Sequence, residues 1–486
     1  MSLQDAGHRS FVARERWLLA AVLLLAAAVR VWGLGTLAFE QDELYTLRDA
    51  ADFGASAGDG PGILGRPLYY LLQHALLLVL PAEPWLLRAP AALFGLLGVA
   101  ATWWAGRRLI GPVGGLAAAA LVAISPWHIY HSQFARYWTL LYLLAVLLYA
   151  ALPPALDGSS RWARVVAVTV GLLAALTHPT FLFALVGVAI ATTIVTAEGH
   201  VRAPVPRAGH LVHVWAPMLA PLALWYGLVR LLDGGRALRN PGAFGGEWSS
   251  RLVPAIIQWA GPVVVVAALV GVVVLWRRAG TRRLAATCAG GLASVLLLLL
   301  LAGTRTAVFA DYGTAALPLL FLAAGAAVQR AHEGLGGRFA AGFVAILLAG
   351  VLPQTVSHLA DGTRFDFRPA HAAIREVGAA PVVAWPVIVH RYYAPDLSVI
   401  ESDGDPAKLD QVLAESGGFW AISAIRRRGL VPGGPRAQRW IDEHCRRRGH
   451  WEAARLDYRR YAVALDWCGP TDPRPSRAPS AQDRDP

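Results

Sequence analysis

The sequence of 486 residues is too apolar for a soluble globular protein, since 56% of its residues are hydrophobic and only 16% are charged. Soluble domains carry roughly 25% charged residues. The net charge of +12 does not indicate a nucleic-acid partner, because basic loops orient membrane spans and contact lipid phosphates. The composition therefore predicts an α-helical polytopic membrane protein, with membrane lipids as partners and no nucleic acid.

Apolar runs separated by arginine-rich loops predict about eleven spans, each near the roughly 20 residues that cross a bilayer. The predicted spans are 17–37, 88–106, a third that ends at 126, a fourth that begins at 138, 163–179, 181–197, 214–232, 254–275, 284–303, 313–328 and 339–356. Paired arginines fall in the loops of one side, which the positive-inside rule assigns to the cytoplasm. The N-terminus is therefore predicted inside, and an odd number of spans places the C-terminus outside.

A pair of acids directly follows the first predicted span, in the stretch FEQDELYT. Asp42 and Glu43 open a large outer loop, 38–87, which also contains an apolar stretch, 66–81, predicted as a helix that lies along the membrane or dips into it. The pair has three interpretations. The acids end a helix in water, or one of them is a general base for an acceptor hydroxyl or amine, or they hold a divalent metal.

From residue 357 the composition changes to a mixture of acids, bases and prolines. Strand-like runs, PVVAWPVIV and GFWAISAI, alternate with helix-like runs, PAHAAIREV and DPAKLDQVLAE, which predicts a small extracytoplasmic α/β domain over 357–470. Residues 1–356 form the predicted transmembrane domain, and the Pro/Ser-rich tail 471–486 is predicted to be disordered. Cys445 and Cys468 are predicted to form a disulfide, with two free thiols as the alternative.

Several basic residues lie at the outer ends of the predicted spans, near the level of Asp42. A charge within a span costs about 2.5–3.5 kcal/mol near mid-bilayer, so Arg30 either reaches the outer headgroups or pairs with an acid or a ligand phosphate. Arginines suit phosphate because the guanidinium makes paired charge-assisted hydrogen bonds. The others on this side are Arg66, Arg88, Arg136, Arg305, His128, His131 and His178. A lipid-accessible pocket of this kind beside an acid predicts transfer from a phosphate-linked lipid donor.

Four stretches in a fixed order resemble the bacterial membrane glycosyltransferases of family 39. They are RVWGLGTLAFEQDELYTLRDA, RPLYYLLQH, LRAPAALFGLLG and SPWHIYHSQFARYWTLLYLLAV, and they lie between residues 30 and 150. That family is related to the protein O-mannosyltransferases and to the lipid A aminoarabinose transferase, and it has the GT-C fold. FADYGTAALP and RFDFRPAHAAIREV resemble its later segments more loosely.

The resemblance implies a sugar donor linked to polyprenyl phosphate, chemistry on the extracytoplasmic side, Asp42 as the general base and Glu43 as its neighbour. A family motif after the third span matches Arg136 and Tyr137. Arg66 stands where many members have a histidine, which would change the preferred donor or acceptor if that histidine contacts substrate. The full predicted set for donor phosphate or substrate is Arg30, Arg66, Tyr69, Arg88, His131, Arg136, Tyr137, His178, Arg305 and Tyr312.

The sequence thus predicts a glycosyltransferase of a bacterial inner membrane that moves a hexose or pentose from polyprenyl phosphate to a lipid, glycan or protein acceptor. A single displacement assisted by Asp42 would invert the anomeric centre. A divalent metal is the one cofactor that the acids leave open. Two alternatives remain. One is a transporter or flippase for lipid-linked sugars, although no internal repeat is visible; the other is a non-catalytic binder of lipid-linked glycans.

Overall fold

The structure is a computed structural model that describes most of the chain. The described residues are 3–54, 61–195, 208–232, 247–304, 308–378, 380–401, 405–426, 434–452 and 461–470. The predicted disordered tail and Arg305 lie outside them. The chain forms two compact units. The membrane unit comprises Met1–Gly35 and Thr46–Val356, and the C-terminal unit comprises Thr36–Tyr45 and Ser357–Pro486.

Helices build the membrane unit, and several begin at a proline, which suits the first helical position because its missing N–H has no partner there. In chain order they are α1 (Leu3–Val31), α2 (Gln41–Ala51), α3 (Pro61–Leu64), α4 (Pro67–Leu77), α5 (Pro84–Leu109), α6 (Pro112–Ile124), α7 (Pro126–Ser132), α8 (Trp138–Leu156), α9 (Arg161–Thr177), α10 (Phe181–Ile194), α11 (Ala208–Leu232), α12 (Glu247–Ala260), α13 (Pro262–Trp276), α14 (Arg282–Gly303), α15 (Leu317–Leu335) and α16 (Gly337–Asp361). Two 3₁₀ turns, Ala279–Thr281 and Ala310–Ala316, precede α14 and α15. Helix α2 begins in the C-terminal unit and ends in the membrane unit.

Six of the described helices are long and apolar enough to cross a membrane, and the number is eight if each of two bent pairs counts as one span. The six are α5, α8, α11, α14, α15 and α16, and the bent pairs are α6–α7 and α12–α13. These findings confirm the predicted polytopic helical membrane protein. The predicted total of about eleven spans stays a prediction, since α1, α9 and the 14-residue α10 are not among these eight.

Helix α15 lies at the core of the membrane unit, and every residue from Leu317 to Val328 is buried. Its backbone contacts that of α6. A Cβ atom on Gly325 would lie 2.4 Å from the Gly114 carbonyl oxygen, and one on Gly114 would lie 2.7 Å from the Gly325 carbonyl oxygen. Small residues of this kind let membrane helices approach without intervening side chains.

Both bent pairs turn at residues that suit a break. The α6–α7 pair bends by 60° at Ser125, whose hydroxyl accepts a hydrogen bond from the His128 N–H and caps α7. The α12–α13 pair bends by 90° at Gly261, which has a φ of +88°. That left-handed region is open to glycine at little cost. The chain therefore changes direction inside two of its apolar segments.

A five-stranded sheet forms the centre of the C-terminal unit, in the strand order β2-β1-β3-β5-β4. The strands are β1 (Val382–Ala384), β2 (Val399–Glu401), β3 (Phe419–Arg426), β4 (Arg446–Glu452) and β5 (Tyr461–Cys468), and the helices are α17 (Arg368–Val377), α18 (Val387–Tyr393), α19 (Pro406–Ser416) and α20 (Gly434–His444). Strand β1 is parallel to β2 and β3, whereas β5 is antiparallel to β3 and β4. The predicted α/β architecture is confirmed.

The predicted elements of this unit are mostly present, with one correction. Helices α17 and α19 cover the two helix-like runs, and β3 covers GFWAISAI. The run PVVAWPVIV is not one strand: β1 ends at Ala384, and α18 begins at Val387 after Pro386. A proline inside a strand has no N–H to donate to a ladder. The predicted disulfide between Cys445 and Cys468 is confirmed and joins the end of α20 to the end of β5.

Two buried histidines pack together between α17 and α18. His371 Nε2 lies 2.9 Å from His390 Nδ1, and the ring of Phe367 lies against His390 at 4.6 Å. Burial lowers the pKa of His371 to about 4, with the nearby Arg375 charge adding to the effect. Burial also lowers the pKa of His390 to about 3, and the neighbouring His371 adds to the effect. Both imidazoles are therefore neutral at pH 7.

We expect the C-terminal unit to lose stability as the pH falls. The unfolded imidazoles bind protons below pH 6.5, whereas the folded ones do so only near pH 4 and below, so the stability present above pH 6.5 is lost in this window. At pH 5 the loss relative to pH 7 should be at least about 2 kcal/mol. Hydrogen exchange of the β1 and β3 amides in the full chain, corrected for intrinsic rates, measures it. A His371→Leu/His390→Leu variant should show a flatter pH dependence, and an equal slope would contradict this account.

Candidate active site

The first turn of α2 is closed by Glu43. Its Oε2 accepts a hydrogen bond from the Glu40 N–H at 3.2 Å, which is the backward contact of a capping box. The same oxygen lies 2.8 Å from Arg364 Nη1, and this nitrogen also donates to the Ala38 carbonyl at 3.2 Å. The side chains of Glu43 and Arg364 are 0% and 1% exposed. Glu43 is therefore held inside the C-terminal unit by two donors.

Asp42 precedes Glu43 in the same turn but is exposed. An ionised carboxylate at this position is stabilised by the positive end of the helix dipole. The ring of Phe39 packs edge-on against Tyr392, with centroids 5.3 Å apart, and the Tyr45 hydroxyl accepts a hydrogen bond from the Gln41 side chain. Of the two acids, Asp42 can be reached by a substrate and Glu43 cannot.

Two arginines of the membrane unit converge on the hydroxyl of Tyr137. Arg66 Nη1 donates to it at 2.8 Å, and Arg136 Nη2 donates at 3.3 Å. Both guanidinium groups also lie over the Tyr137 ring, at 5.3 and 4.9 Å from its centroid, in cation–π geometry. Arg136 Nη1 donates further to the hydroxyls of Thr46 and Tyr70, each at 3.3 Å. The structure thus brings together three of the predicted donor-binding residues.

The local chain explains this convergence. Arg66 is the residue before α4, which begins at Pro67. The carbonyls just before it are held by α11, where Trp225 Nε1 donates to Leu64 and the Tyr226 hydroxyl donates to Gly65. Arg136 and Tyr137 lie in the short non-helical stretch between α7 and α8. Arg66 therefore lies directly before one helix and Arg136 two residues before another, and neither projects from the side of a helix.

Aromatic rings continue from Tyr137 into the membrane unit. His178 stacks on Tyr137 with centroids 4.7 Å apart, and Tyr312 stacks on His178 at 5.7 Å. Trp138 lies 4.8 Å from His178. Tyr69 is fully buried and meets Tyr137 edge-on at 6.4 Å. Four predicted binding residues, Tyr69, Tyr137, His178 and Tyr312, thus belong to one aromatic cluster.

A histidine–aspartate pair adjoins these rings. His131 Nε2 lies 3.4 Å from Asp311 Oδ1, and the His131 side chain is 2% exposed while that of Asp311 is 18% exposed. The His131 ring lies 5.5 Å from Trp138. Sequence reasoning missed Asp311 and Trp138 as site residues. The signal for Asp311 was its place in FADYG, a stretch that was noted for its resemblance and not for its acid.

Two other predicted binding residues have different partners. Arg30 is buried and donates to the Val122 and Ala123 carbonyls at the end of α6, to the Ala26 carbonyl, and to His128 Nδ1 at 2.8 Å. It therefore satisfies the carbonyls that the α6–α7 break leaves without helical partners. Arg88 is buried and donates to the Leu34 carbonyl. Both arginines hold backbone segments within the membrane unit.

Among the described residues, no three His, Cys, Asp or Glu side chains come together as metal ligands. The acidic pair offers one exposed carboxylate, because Glu43 is committed to Arg364. The described residues therefore bring no group of three such ligands to the divalent metal that the sequence left open.

No protein-family model matches this chain, and no curated protein matches it. Solved structures do. ArnT from Cupriavidus metallidurans in the apo state aligns with a TM-score of 0.55 and 15% identity, over 94% of this chain and 98% of that one. ArnT bound to undecaprenyl phosphate aligns with a TM-score of 0.50 and 14% identity, over 92% and 97%. An Archaeoglobus fulgidus oligosaccharyltransferase tethered to an acceptor peptide aligns at 0.47 and 12%, over 91% and 74%.

The fold expected from the sequence is confirmed by the two ArnT structures. ArnT is a glycosyltransferase with the GT-C fold, and the alignment covers nearly the full length of both chains. This protein is a polytopic membrane protein of GT-C type with a small C-terminal α/β domain.

We expect Arg30 to stabilise the fold and not to bind a ligand. Arg30→Met removes the donor of four buried hydrogen bonds, at about 1–3 kcal/mol for each acceptor that keeps no other partner, so the detergent-solubilised protein should unfold at a clearly lower temperature. Arg30→Lys should lie between the two. Arg230→Met, which removes an exposed arginine of α11, is the control. An Arg30→Met protein of normal thermal stability that no longer binds undecaprenyl phosphate would contradict this role.

Proposed function

We propose that this protein is a membrane glycosyltransferase that moves a sugar from polyprenyl phosphate to an acceptor, with Asp42 as the general base. The main support for this role of Asp42 is that the two adjacent acids differ in exposure. Glu43 is buried against Arg364, whereas Asp42 is exposed at the same helix end. A structure of the same fold, that of ArnT, holds undecaprenyl phosphate. A polyprenyl carrier is accordingly the donor class proposed here.

Arg66 and Arg136 are proposed to hold the donor phosphate. Two cations directed at one Tyr137 hydroxyl create a compact positive site, and guanidinium groups bind phosphate oxygens through paired hydrogen bonds. Arg136 also donates to the Thr46 hydroxyl within the membrane unit. Arg30 and Arg88 are not part of this phosphate site, since both donate to backbone carbonyls.

The aromatic cluster is proposed to bind the sugar. Tyr312, which is half-buried and stacks on His178, is the ring of this cluster that is proposed to pack against sugar C–H groups. The neighbouring His131–Asp311 pair supplies a partly exposed carboxylate that accepts hydrogen bonds from sugar hydroxyls. The combination of a flat apolar surface and one fixed acceptor is the usual composition of a small-molecule site.

The proposed reaction is one displacement. The acceptor oxygen or nitrogen attacks the anomeric carbon while the Asp42 carboxylate takes its proton. The bond between that carbon and the phosphate oxygen breaks, and its electron pair stays on the polyprenyl phosphate, whose charge the two arginines stabilise. Attack from the face opposite the phosphate inverts the anomeric centre. Glu43 takes no proton in this scheme because it is buried and paired with Arg364.

The acidic pair and the C-terminal unit are proposed to lie outside the inner membrane of a bacterium. The support is the arginine asymmetry of the loops. A cysteine introduced at Ala407 should react with an impermeant maleimide in intact cells, and one introduced at Gly280, in an arginine-rich loop, should react only after the cells are opened. The reverse pattern would overturn the orientation.

Replacing Asp42 tests the function. Asp42→Asn should keep the fold and lower turnover by roughly 100-fold or more, the usual effect of losing a general base. The readout is formation of the lipid or glycan product whose absence marks a deletion strain, normalised to folded protein. Asp52→Asn, which changes an exposed acid just beyond α2, is the control. Glu43→Gln should lower stability more than turnover per folded molecule.

Three outcomes would oppose this proposal. Normal turnover by Asp42→Asn together with an inactive, well-folded Glu43→Gln would reverse the two roles. Normal turnover by both variants would remove the pair from the chemistry. The flippase alternative would be favoured by a deletion strain that lacks no glycosylated product and accumulates the lipid-linked sugar donor on the cytoplasmic side of the membrane.

A further inference from the structure

We infer that Arg364 is a positioning residue for the proposed base, and that the C-terminal unit works as the holder of the segment that carries Asp42. The inference rests on the proposed function. Residues 36–45 follow the first helix in sequence but group with Ser357–Pro486 in space. A segment that contains an active-site acid is thus fixed by a part of the chain more than 300 residues away.

Four separate contacts within the C-terminal unit hold this segment. Arg368 Nη1 donates to the Thr36 carbonyl at 3.0 Å, and the Phe39 N–H donates to the Tyr393 hydroxyl at 2.6 Å. The Phe39 ring packs on Tyr392. The fourth contact is the Arg364 guanidinium on Glu43 and on the Ala38 carbonyl. The contacts are spread from residue 36 to residue 43, so the whole approach to α2 is fixed.

The Arg364 contact reaches the helix itself. One nitrogen, Nη1, joins the Ala38 carbonyl before the helix to the Glu43 carboxylate inside its first turn. Glu43 in turn accepts from the Glu40 N–H. Asp42 lies between Glu40 and Glu43 in the same turn, so its backbone position is set by this closed ring of contacts. Its side chain remains exposed.

The turn that presents Arg364 is unusual. Gly362 and Thr363 have φ angles of +73° and +53°, and a left-handed conformation is uncommon for a residue other than glycine. The Thr363 hydroxyl lies 3.0 Å from His358 Nδ1. A Cβ atom on Gly362 would lie 2.4 Å from Leu37. The chain therefore adopts a costly turn at the place that directs Arg364 toward Glu43.

A buried ion pair is a weak source of stability, because the cost of removing both charges from water offsets their attraction. Stability alone therefore gives little reason to bury Arg364 and Glu43 together. Such a pair fixes geometry, since either charge without the other is strongly unfavourable. Precise placement matters for a base, because a misplacement of about 1 Å can lower a rate by about 100-fold.

The test compares Arg364→Gln, Arg364→Lys and the double variant Glu43→Gln/Arg364→Gln with the wild-type full chain. The double variant removes both buried charges, so no charge is left buried without its partner. It can therefore be measured even if a single variant fails to fold. The control is Arg375→Gln, whose ion pair with Asp396 is exposed. The measurements are turnover per folded molecule, the apparent KM for the polyprenyl donor, and the Kd for undecaprenyl phosphate.

We expect Arg364→Gln and the double variant to turn over about 10- to 100-fold more slowly, with the KM and the Kd for undecaprenyl phosphate nearly unchanged. Arg364→Lys should recover part of the rate, and Arg375→Gln should behave as wild type. Full turnover per folded molecule in the double variant would overturn the inference, because the pair would then serve folding alone. Asp42→Asn in the same assay separates the two ideas: if it is active, the proposed function itself fails.

Discussion

The buried ion pair between Glu43 and Arg364 fixes the helix turn that carries Asp42. It converts two adjacent carboxylates, which look equivalent in the sequence, into groups with different properties. One is buried, hydrogen-bonded and paired, and it is therefore closed to substrate. The other, Asp42, remains on the surface of a turn whose backbone is fixed. The proposed role of Asp42 needs this separation, because a base must be reachable while its support must not move.

Buried charges in the membrane unit are also paired with hydrogen-bonding partners. A cation in a span is costly, and Arg30 and Arg88 avoid that cost by donating to carbonyls at helix breaks and ends. Arg30 thereby permits the 60° bend between α6 and α7, and the stretch after α7 contains Arg136 and Tyr137. Buried arginines that hold the backbone are in this way distinct from the arginines at Tyr137, whose guanidinium groups are directed at a side-chain hydroxyl.

Much of the architecture could be predicted from the sequence, because its causes are local. Apolar runs give the helices, the change of composition near residue 357 gives the α/β region, and the two polar-region cysteines give the disulfide between Cys445 and Cys468. A local cause also explains the one error in that region. The run PVVAWPVIV was expected to be one strand, but Pro386 separates β1 from α18. Bends inside apolar runs, such as that at Gly261, leave no clear trace in hydropathy.

The candidate site was only partly predictable, because its decisive contacts are distant in sequence. Arg364 contacts Glu43 across 321 positions, and no local pattern marks it. Arg30 was assigned to the same group as Arg66 and Arg136 since all three are arginines near one end of the spans, and the sequence does not say what each guanidinium contacts. Asp311 was missed for a related reason: a single acid in a loop has meaning only beside His131.

The proposed mechanism assigns the base and the phosphate site to separate residues of one glycosyltransferase. Paired measurement of undecaprenyl phosphate binding and turnover in Arg136→Gln and Asp42→Asn separates these two roles. Arg136→Gln should raise the Kd by about 10-fold or more, since hydrogen bonds to charged groups contribute about 1.5–3 kcal/mol, whereas Asp42→Asn should bind normally but not turn over. Normal lipid binding by Arg136→Gln, or normal turnover by Asp42→Asn, would contradict this assignment.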